Sequence, residues 1–289
     1  MSAITEILGS SYFEERLTKI RVESMEHNGK IWMHKHEFYE FVYVDTGFTL
    51  HTHDGRTSVL TPGDLFAIRP NEAHAYTSAY HTKLYNCLFF LEELKGLSDE
   101  LLVLPGLDNV LNSQATEPVP VLHVDLSVRS DLTLLLERMK WEQLNRGIGW
   151  ELNLKSQLIS FLILYSRLYS SGDAAIRSHN DGYYGYIFKA LEFIDQNYQN
   201  DLTSRDIAEC TGLSHDYVAK QFKNVLSMTP SEYIRRFRVA KSMELLKTTD
   251  LSAAEIAKQV GFGDISLFSR VFKQLTGVSP TTFRKNGEL

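Results

Sequence analysis

The sequence predicts an α+β protein of two domains: an N-terminal β-barrel followed by two helices, and a C-terminal all-α domain with two helix-turn-helix motifs. Three observations predict it. Short apolar runs broken by turn residues fill the stretch from Ile31 to about Phe90, the hydrophobic period becomes helical after about Ser127, and residues 202–285 repeat themselves. At 289 residues the chain is too long for one ordinary core and suits two.

The strands come first. Phe41 to Val44 is an apolar run followed by Gly47, and Phe48 to His53 alternates. Asp54 and Gly55 supply two positive-φ positions for a tight hairpin turn, and Thr57 to Leu60 returns. His51 and His53 flank that tip and are expected to be exposed. Pro62, Gly63 and Asp64 form another turn, and Leu65 to Ile68 is a short strand ending at Pro70 and Asn71. Many short strands with frequent turns predict a small barrel or sandwich.

Helices follow. Leu132, Leu135, Leu136 and Met139 make one apolar stripe, and Leu134 and Trp141 lie almost opposite. A surface helix needs one such stripe. The second points to a homodimer contact, or to a helix sandwiched within one subunit. Trp150 to Tyr169 is apolar nearly all round and must be buried. The stretch 170–182 is rich in Ser, Gly, Asn and Asp and reads as a connector. The expected organisation is therefore 1–170 as the barrel and dimerisation domain, 171–182 as linker and 183–289 as the second domain. The last opens with Ile187, Leu191, Ile194 and Tyr198 at helical spacing.

Composition narrows the function classes. No apolar run reaches the roughly eighteen residues of a membrane span. Met1 to Ser10 lacks a basic start with an apolar stretch, so no secretory signal is expected. Two cysteines, Cys87 and Cys210, make no disulfide framework, which suits a cytoplasmic protein. The net charge of −6 is unevenly spread. Residues 186–289 carry 14 Lys+Arg against 12 Asp+Glu, leaving 16 against 24 in residues 1–185. The acidic part is a poor partner for phosphate.

The repeat is the strongest signal. Leu202 to Ser214 matches Leu251 to Gly263 at an offset of 49, and Phe222, Pro230 and Tyr233 match Phe272, Pro280 and Phe283 at 50. The second copy thus carries one extra residue, expected at the start of its second helix. Ser252 with Glu255 is a capping box, and Thr203 with Asp206 a weaker one. Ile207-Ala208 and Ile256-Ala257 pair a core residue with a small one, so that a second helix can cross closely. Gly212 and Gly261 suit the positive φ that ends a first helix. Phe222 and Phe272 anchor the second helices, and Pro230 and Pro280 suit the start of short helices that follow. A helix from Arg235 to Lys247 then joins the two units.

Ile256 to Lys273, followed by Gly277 to Pro280 and by Phe283 and Arg284, closely resembles the signature of the AraC/XylS family of transcriptional regulators. The resemblance implies that the second helix of each unit lies in a major groove of operator DNA. By alignment, His215, Asp216, Ala219 and Lys220 face the groove in the first unit, and Ile265, Ser266, Leu267, Ser269 and Arg270 in the second. Arg270 suits a bidentate pair with guanine, and Ile265 and Leu267 suit thymine methyls. Ser227 stands where the family often has Gly, and Leu267 where Tyr is frequent.

In the first half, His34, His36 and Glu40 are separated by even steps, which on a strand aims all three to one face. With Gly47, Gly63-Asp64, Pro70 and His74 they are similar to the paired motifs of the cupin barrel. The first domain is therefore expected to be cupin-like. His34, His36, Glu40 and His74 could hold a divalent metal such as Zn, Mn, Fe or Ni, line an effector pocket, or simply hydrogen-bond within the barrel mouth. Trp32, Tyr39, Arg69 and Tyr76 lie nearby in sequence and suit a carbohydrate. The resemblances imply a small-molecule-responsive regulator, an activator that helps recruit RNA polymerase. The alternative is a metal-dependent cupin enzyme fused to a DNA reader.

Overall fold

The computed structural model describes residues 4–13, 17–27, 30–53, 55–112, 114–115, 117–171, 174–177, 185–226 and 228–286. It divides into two compact units, Met1–Val124 with Arg129–Gly182, and Asp125–Val128 with Tyr183–Leu289.

Among the described residues, nine strands form one sheet in the first unit. They are β1 (Thr5–Ile7), β2 (Ile20–His27), β3 (Ile31–His36), β4 (Tyr39–His53), β5 (Arg56–Leu60), β6 (Asp64–Ile68), β7 (His74–Phe89), β8 (Val121–Val124) and β9 (Ala174–Arg177). The order is β1-β3-β7-β4-β6-β8-β9, with β2 also paired to β7 and β5 to β4. The long strands β4 and β7 run antiparallel from Tyr39↔Phe89 to His53↔His74.

Their register slips on either side of Thr46, beside Gly47 at φ +71°. An extra residue in one strand bends it and sharpens its twist. The two halves of β4 consequently meet different partners: Glu40 to Tyr43 pairs with β6, and Thr49 to His53 with β5. This curls the sheet around an apolar interior of Val42, Val44, Leu60, Phe66, Ile68, Tyr76 and Leu84.

The same bulge corrects one expectation. His51 and His53 are buried, 2% and 8% exposed. Val42 and Val44 face inward, but the slip changes the parity, so odd positions face inward beyond it. The His51 ring centroid lies 4.9 Å from those of Phe66 and Tyr76. Gly55 has the expected positive φ of +73°, while Asp54 lies outside the described residues.

Two short helices, α1 (Ser98–Leu102) and α2 (Leu107–Leu111), precede the long α3 (Leu126–Asn145) and α4 (Trp150–Ser171). Phe41, on the outer face of β4, meets Phe161 and Tyr165 of α4 edge-on at 5.4 and 5.0 Å. Leu132, Leu136 and Met139 of α3 are buried, whereas Leu134, Trp141 and Leu144 are exposed. Part of the stretch read as connector pairs as a strand, Ala174↔Val124 through Arg177↔Val121. Backbone pairing to a sheet edge needs no apolar pattern, so composition did not disclose it. The remainder of that stretch from 178 to 182 lies outside the described residues.

The second unit contains α5 (Gly185–Asn197), α6 (Ser204–Thr211), α7 (His215–Leu226), α8 (Pro230–Thr248), α9 (Ala253–Gln259), α10 (Ile265–Thr276) and α11 (Pro280–Asn286). Capping boxes open α6 at Thr203/Asp206 and α9 at Ser252/Glu255. Gly212 and Gly261 have φ of +72° and +88°. The extra residue of the second copy sits in the turn between Gly261 and the N-cap Asp264, ahead of the second helix.

A third capping box, Thr229/Glu232, stands before Pro230 at the first turn of α8. The short helix expected at Pro230 and the joining helix expected from Arg235 are one continuous helix, because nothing between them breaks it. The anchors repeat as well: Phe222 meets Tyr233 at 6.1 Å and Phe272 meets Phe283 at 5.6 Å, both at 75°. Ser227 lies outside the described residues.

Candidate functional site

A cavity of about 260 Å³ opens inside the curled sheet. Trp32, His34 and His36 reach it from β3, Glu40 from β4, and His74, Tyr76 and Asn86 from β7. Tyr12, Glu23, Ile7, Met25, Ile31, Phe38 and Leu88 complete much of the wall. Of its polar residues, His36, Glu40 and His74 are deeply buried, with exposures of 2%, 5% and 1%.

His36 and Glu40 do not share a strand as the even spacing implied. The chain bends at Glu37 and Phe38, between β3 and β4, and the two side chains converge across the interior. His36 Nε2 lies 3.0 Å from Glu40 Oε2, and His74 Nε2 lies 3.4 Å from the same oxygen. His36 Nδ1 lies 2.8 Å from the Phe38 carbonyl oxygen, and the His36 and Phe38 rings stack at 4.3 Å. All three residues are buried. Burial pushes the Glu40 carboxyl up, but its contacts with the His36 and His74 imidazoles outweigh it and hold it well below the usual range. Burial lowers His74 and, with the Glu40 charge, raises Tyr76.

His34 is half-buried and stands apart from this trio. Its Nδ1 lies 2.9 Å from the Trp32 carbonyl oxygen, and its ring centroid is 4.1 Å from that of His74. Ligand atoms of His36, Glu40 and His74 all lie within 4.8 Å of one another. Two imidazoles and one carboxylate suit a divalent transition metal, so the residues present fit the metal that the cupin pattern implied. Trp32 is exposed, with the Lys30 ammonium 3.8 Å from its ring centroid.

The structure does not bring Tyr39 and Arg69 to the cavity. Tyr39 alternates with Glu40 and points to the opposite side, where its hydroxyl donates to the Leu111 carbonyl and its ring stacks on Phe89. Arg69 follows the inward Ile68 and is held by Glu72 and Asn109. Sequence reasoning missed Glu23 and Asn86, which face each other across β2 and β7. A polar residue within an apolar strand is the available signal, but no motif or turn residue sets Glu23 or Asn86 apart.

In the second unit, α7 and α10 each bury one face and expose the other. Val218, Phe222 and Leu226 are buried on α7, and Phe268, Val271 and Phe272 on α10. His215, Asp216 and Lys220 are exposed and Ala219 half-buried; Ile265, Ser266 and Arg270 are exposed, and Leu267 and Ser269 half-buried. A spacing of four residues sets Asp216 with Lys220 and Ser266 with Arg270 on one side of each helix. His215 Nε2 lies 2.8 Å from Ser204 Oγ, tying α7 to α6. Leu267 packs against the core below it, leaving Ile265 as the more open apolar side chain. Tyr217, not singled out from sequence, is also exposed.

A sensing barrel joined to a tandem helix-turn-helix reader defines a ligand-binding transcriptional regulator. Two family models match: an AraC-like ligand binding domain over residues 19–162 and a helix-turn-helix domain over residues 207–286. The chain belongs to the AraC family of transcriptional regulators. It is 25% identical over 253 residues to the HTH-type transcriptional activator RhaS of Enterobacter sp. (strain 638), covering 87% of each chain. It is 23% identical over 286 residues to RhaS of Klebsiella pneumoniae (strain 342), covering 98% of each. The solved structure of ToxT from Vibrio cholerae O395 is 14% identical with a TM-score of 0.37, covering 92% of this chain and 97% of that one. This membership sets aside the reading as a cupin enzyme fused to a DNA reader. Among the described residues no helix is long and apolar enough to cross a membrane.

Proposed function

We propose that the chain activates transcription in the cytoplasm in response to a small molecule, a sugar or related metabolite, bound in the barrel cavity. The observation that carries the reading is the pair of exposed faces, Asp216 with Lys220 and Ser266 with Arg270, on equivalent helices of a structural repeat. His215, Asp216, Ala219 and Lys220 would enter one major groove of operator DNA, and Ile265, Ser266, Leu267, Ser269 and Arg270 the next. The first unit would sense and dimerise, and the second would read DNA.

His34, His36, Glu40, His74, Trp32 and Tyr76 are the effector contacts this reading assigns. Exposed Trp32 offers an aromatic face, and Asn86 a buried amide whose Oδ1 has no hydrogen-bond partner. The exposed Leu134, Trp141 and Leu144 of α3, with Ile148 and Leu152 beyond, would meet a second copy of the chain. An effector activates only if it binds the active arrangement more tightly than the inactive one. RNA polymerase is the expected further partner, and the RhaS relatives, named as activators, favour activation.

The test is selection of bound sites from random duplexes by the full-length chain, followed by footprinting with and without each of a panel of sugars. Two protected patches per chain, about one helical turn apart on one face of the duplex, are expected. Failure to enrich any sequence would overturn the DNA reading; an identical footprint and affinity across the panel would overturn the sugar reading.

A further inference from the structure

We propose that His36, Glu40 and His74 bind a divalent first-row transition-metal ion at the deep end of the barrel cavity, with open coordination positions facing that cavity. The first support is geometric. Ligand atoms each about 2.0–2.2 Å from a shared ion stand about 3.0–3.5 Å apart around it. His36 Nε2 and His74 Nε2 stand 3.0 and 3.4 Å from Glu40 Oε2.

The second support is the direction of the hydrogen bonds. A carbonyl oxygen only accepts, so His36 Nδ1, 2.8 Å from the Phe38 oxygen, carries the proton. In the neutral ring, Nε2 is then a bare acceptor facing a carboxylate oxygen, itself an acceptor. Two acceptors at 3.0 Å repel unless a cation lies between them or at their side. That cation is either a proton shared by the two groups or a metal ion. An imidazole fixed by a backbone carbonyl, with its other nitrogen unprotonated, is the arrangement metal ligands adopt. His34 has the same arrangement, with Nδ1 on the Trp32 carbonyl, and its ring stands next to that of His74.

Two nitrogens and one oxygen favour Zn, Mn, Fe, Co or Ni over Mg or Ca, which prefer oxygen alone. The consequence for regulation rests on the reading of this cavity as the effector site: an effector oxygen could then complete the coordination. The metal itself is tested without effector or DNA.

The full-length chain, stripped with a chelator and dialysed, is titrated with Co²⁺ alone and followed by visible absorption and calorimetry. Saturable uptake of one ion per chain with ligand-field absorption is expected, displaced by Zn²⁺. Glu40→Gln and His74→Ala should lose it, while His53→Ala, whose imidazole pairs with Glu72 elsewhere, should keep it. Circular dichroism establishes that each variant is folded. If the ligand variants do not fold, the wild-type titration still decides: absence of saturable cobalt uptake overturns the proposal. So does uptake by folded Glu40→Gln and His74→Ala equal to that of wild type. A chain that binds cobalt but selects no DNA would keep this inference and lose the regulatory one.

Discussion

A Cβ on Gly261 would stand 2.5 Å from the backbone carbonyl oxygen of Tyr198. The turn of the second helix pair therefore presses directly on the chain that follows α5. Gly212, its counterpart in the first pair, has a similar φ but open space around the same position. Both Gly→Ala substitutions should lose roughly 1–2 kcal/mol to the left-handed backbone. Gly261→Ala should lose more, because backbone must move. Thermal unfolding of the two variants compares them, and equal losses would show that the Tyr198 contact is easily relieved.

Glu72 makes stability depend on acid pH. Burial raises its carboxyl, but bonds from His53 Nε2 at 3.0 Å and the Arg69 backbone N–H at 2.8 Å bring it down to about 2. A carboxyl lower in the folded state than its ordinary 4.5 stabilises fully above that value. The contribution is lost as pH falls toward and through about 2. The stability difference between wild type and Glu72→Gln should therefore shrink across that window in chemical denaturation. A difference that stays constant there would refute the coupling.

Thr229 caps α8, its hydroxyl oxygen accepting from the Glu232 backbone N–H. Thr229→Ala should cost about 1 kcal/mol, whereas Thr229→Ser should cost little, since Ser keeps the acceptor oxygen. Denaturant midpoints of the two variants read this directly.

Arg270 is exposed on α10, away from the packed Phe268 and Phe272. On a selected site, Arg270→Ala should weaken binding by about 1–3 kcal/mol and relax the base preference beneath it if the contact is to a base. An unaltered titration curve would remove Arg270 from the reading surface.

Trp141 is 61% exposed on a helix whose opposite side is buried. If a second copy covers it, Trp141→Glu should shift the chain from dimer to monomer in sedimentation without altering its circular dichroism. A wild-type chain already monomeric at high concentration would refute that assembly.

Local chemistry made the second unit legible. Capping pairs, Gly212 and Gly261, and the Phe anchors each act within a few residues, and two copies in register left little freedom. Even there, the continuity of α8 is not legible, because Pro230 starts a helix equally well whether that helix is short or long. In the first unit, turns such as Gly63 and strands such as β6 were readable, but β1, β2, β8 and β9 were not. Their pairing comes from distant chain segments.

The candidate metal and effector residues divide in the same way. Sequence alone determined that His34, His36, Glu40 and His74 belong to one barrel and that Lys220 and Arg270 occupy equivalent helices, because motif spacing and repetition are local properties. Tertiary structure alone decided that His36, Glu40 and His74 converge while His34 stands aside, that Tyr39 and Arg69 face elsewhere, and that His51 and His53 are interior. The reason is the set of register slips between β4 and β7, beginning beside Gly47, and a bend at Glu37 and Phe38: these change which face of a strand looks inward, and strand alternation counted along the chain cannot register a shift it does not see.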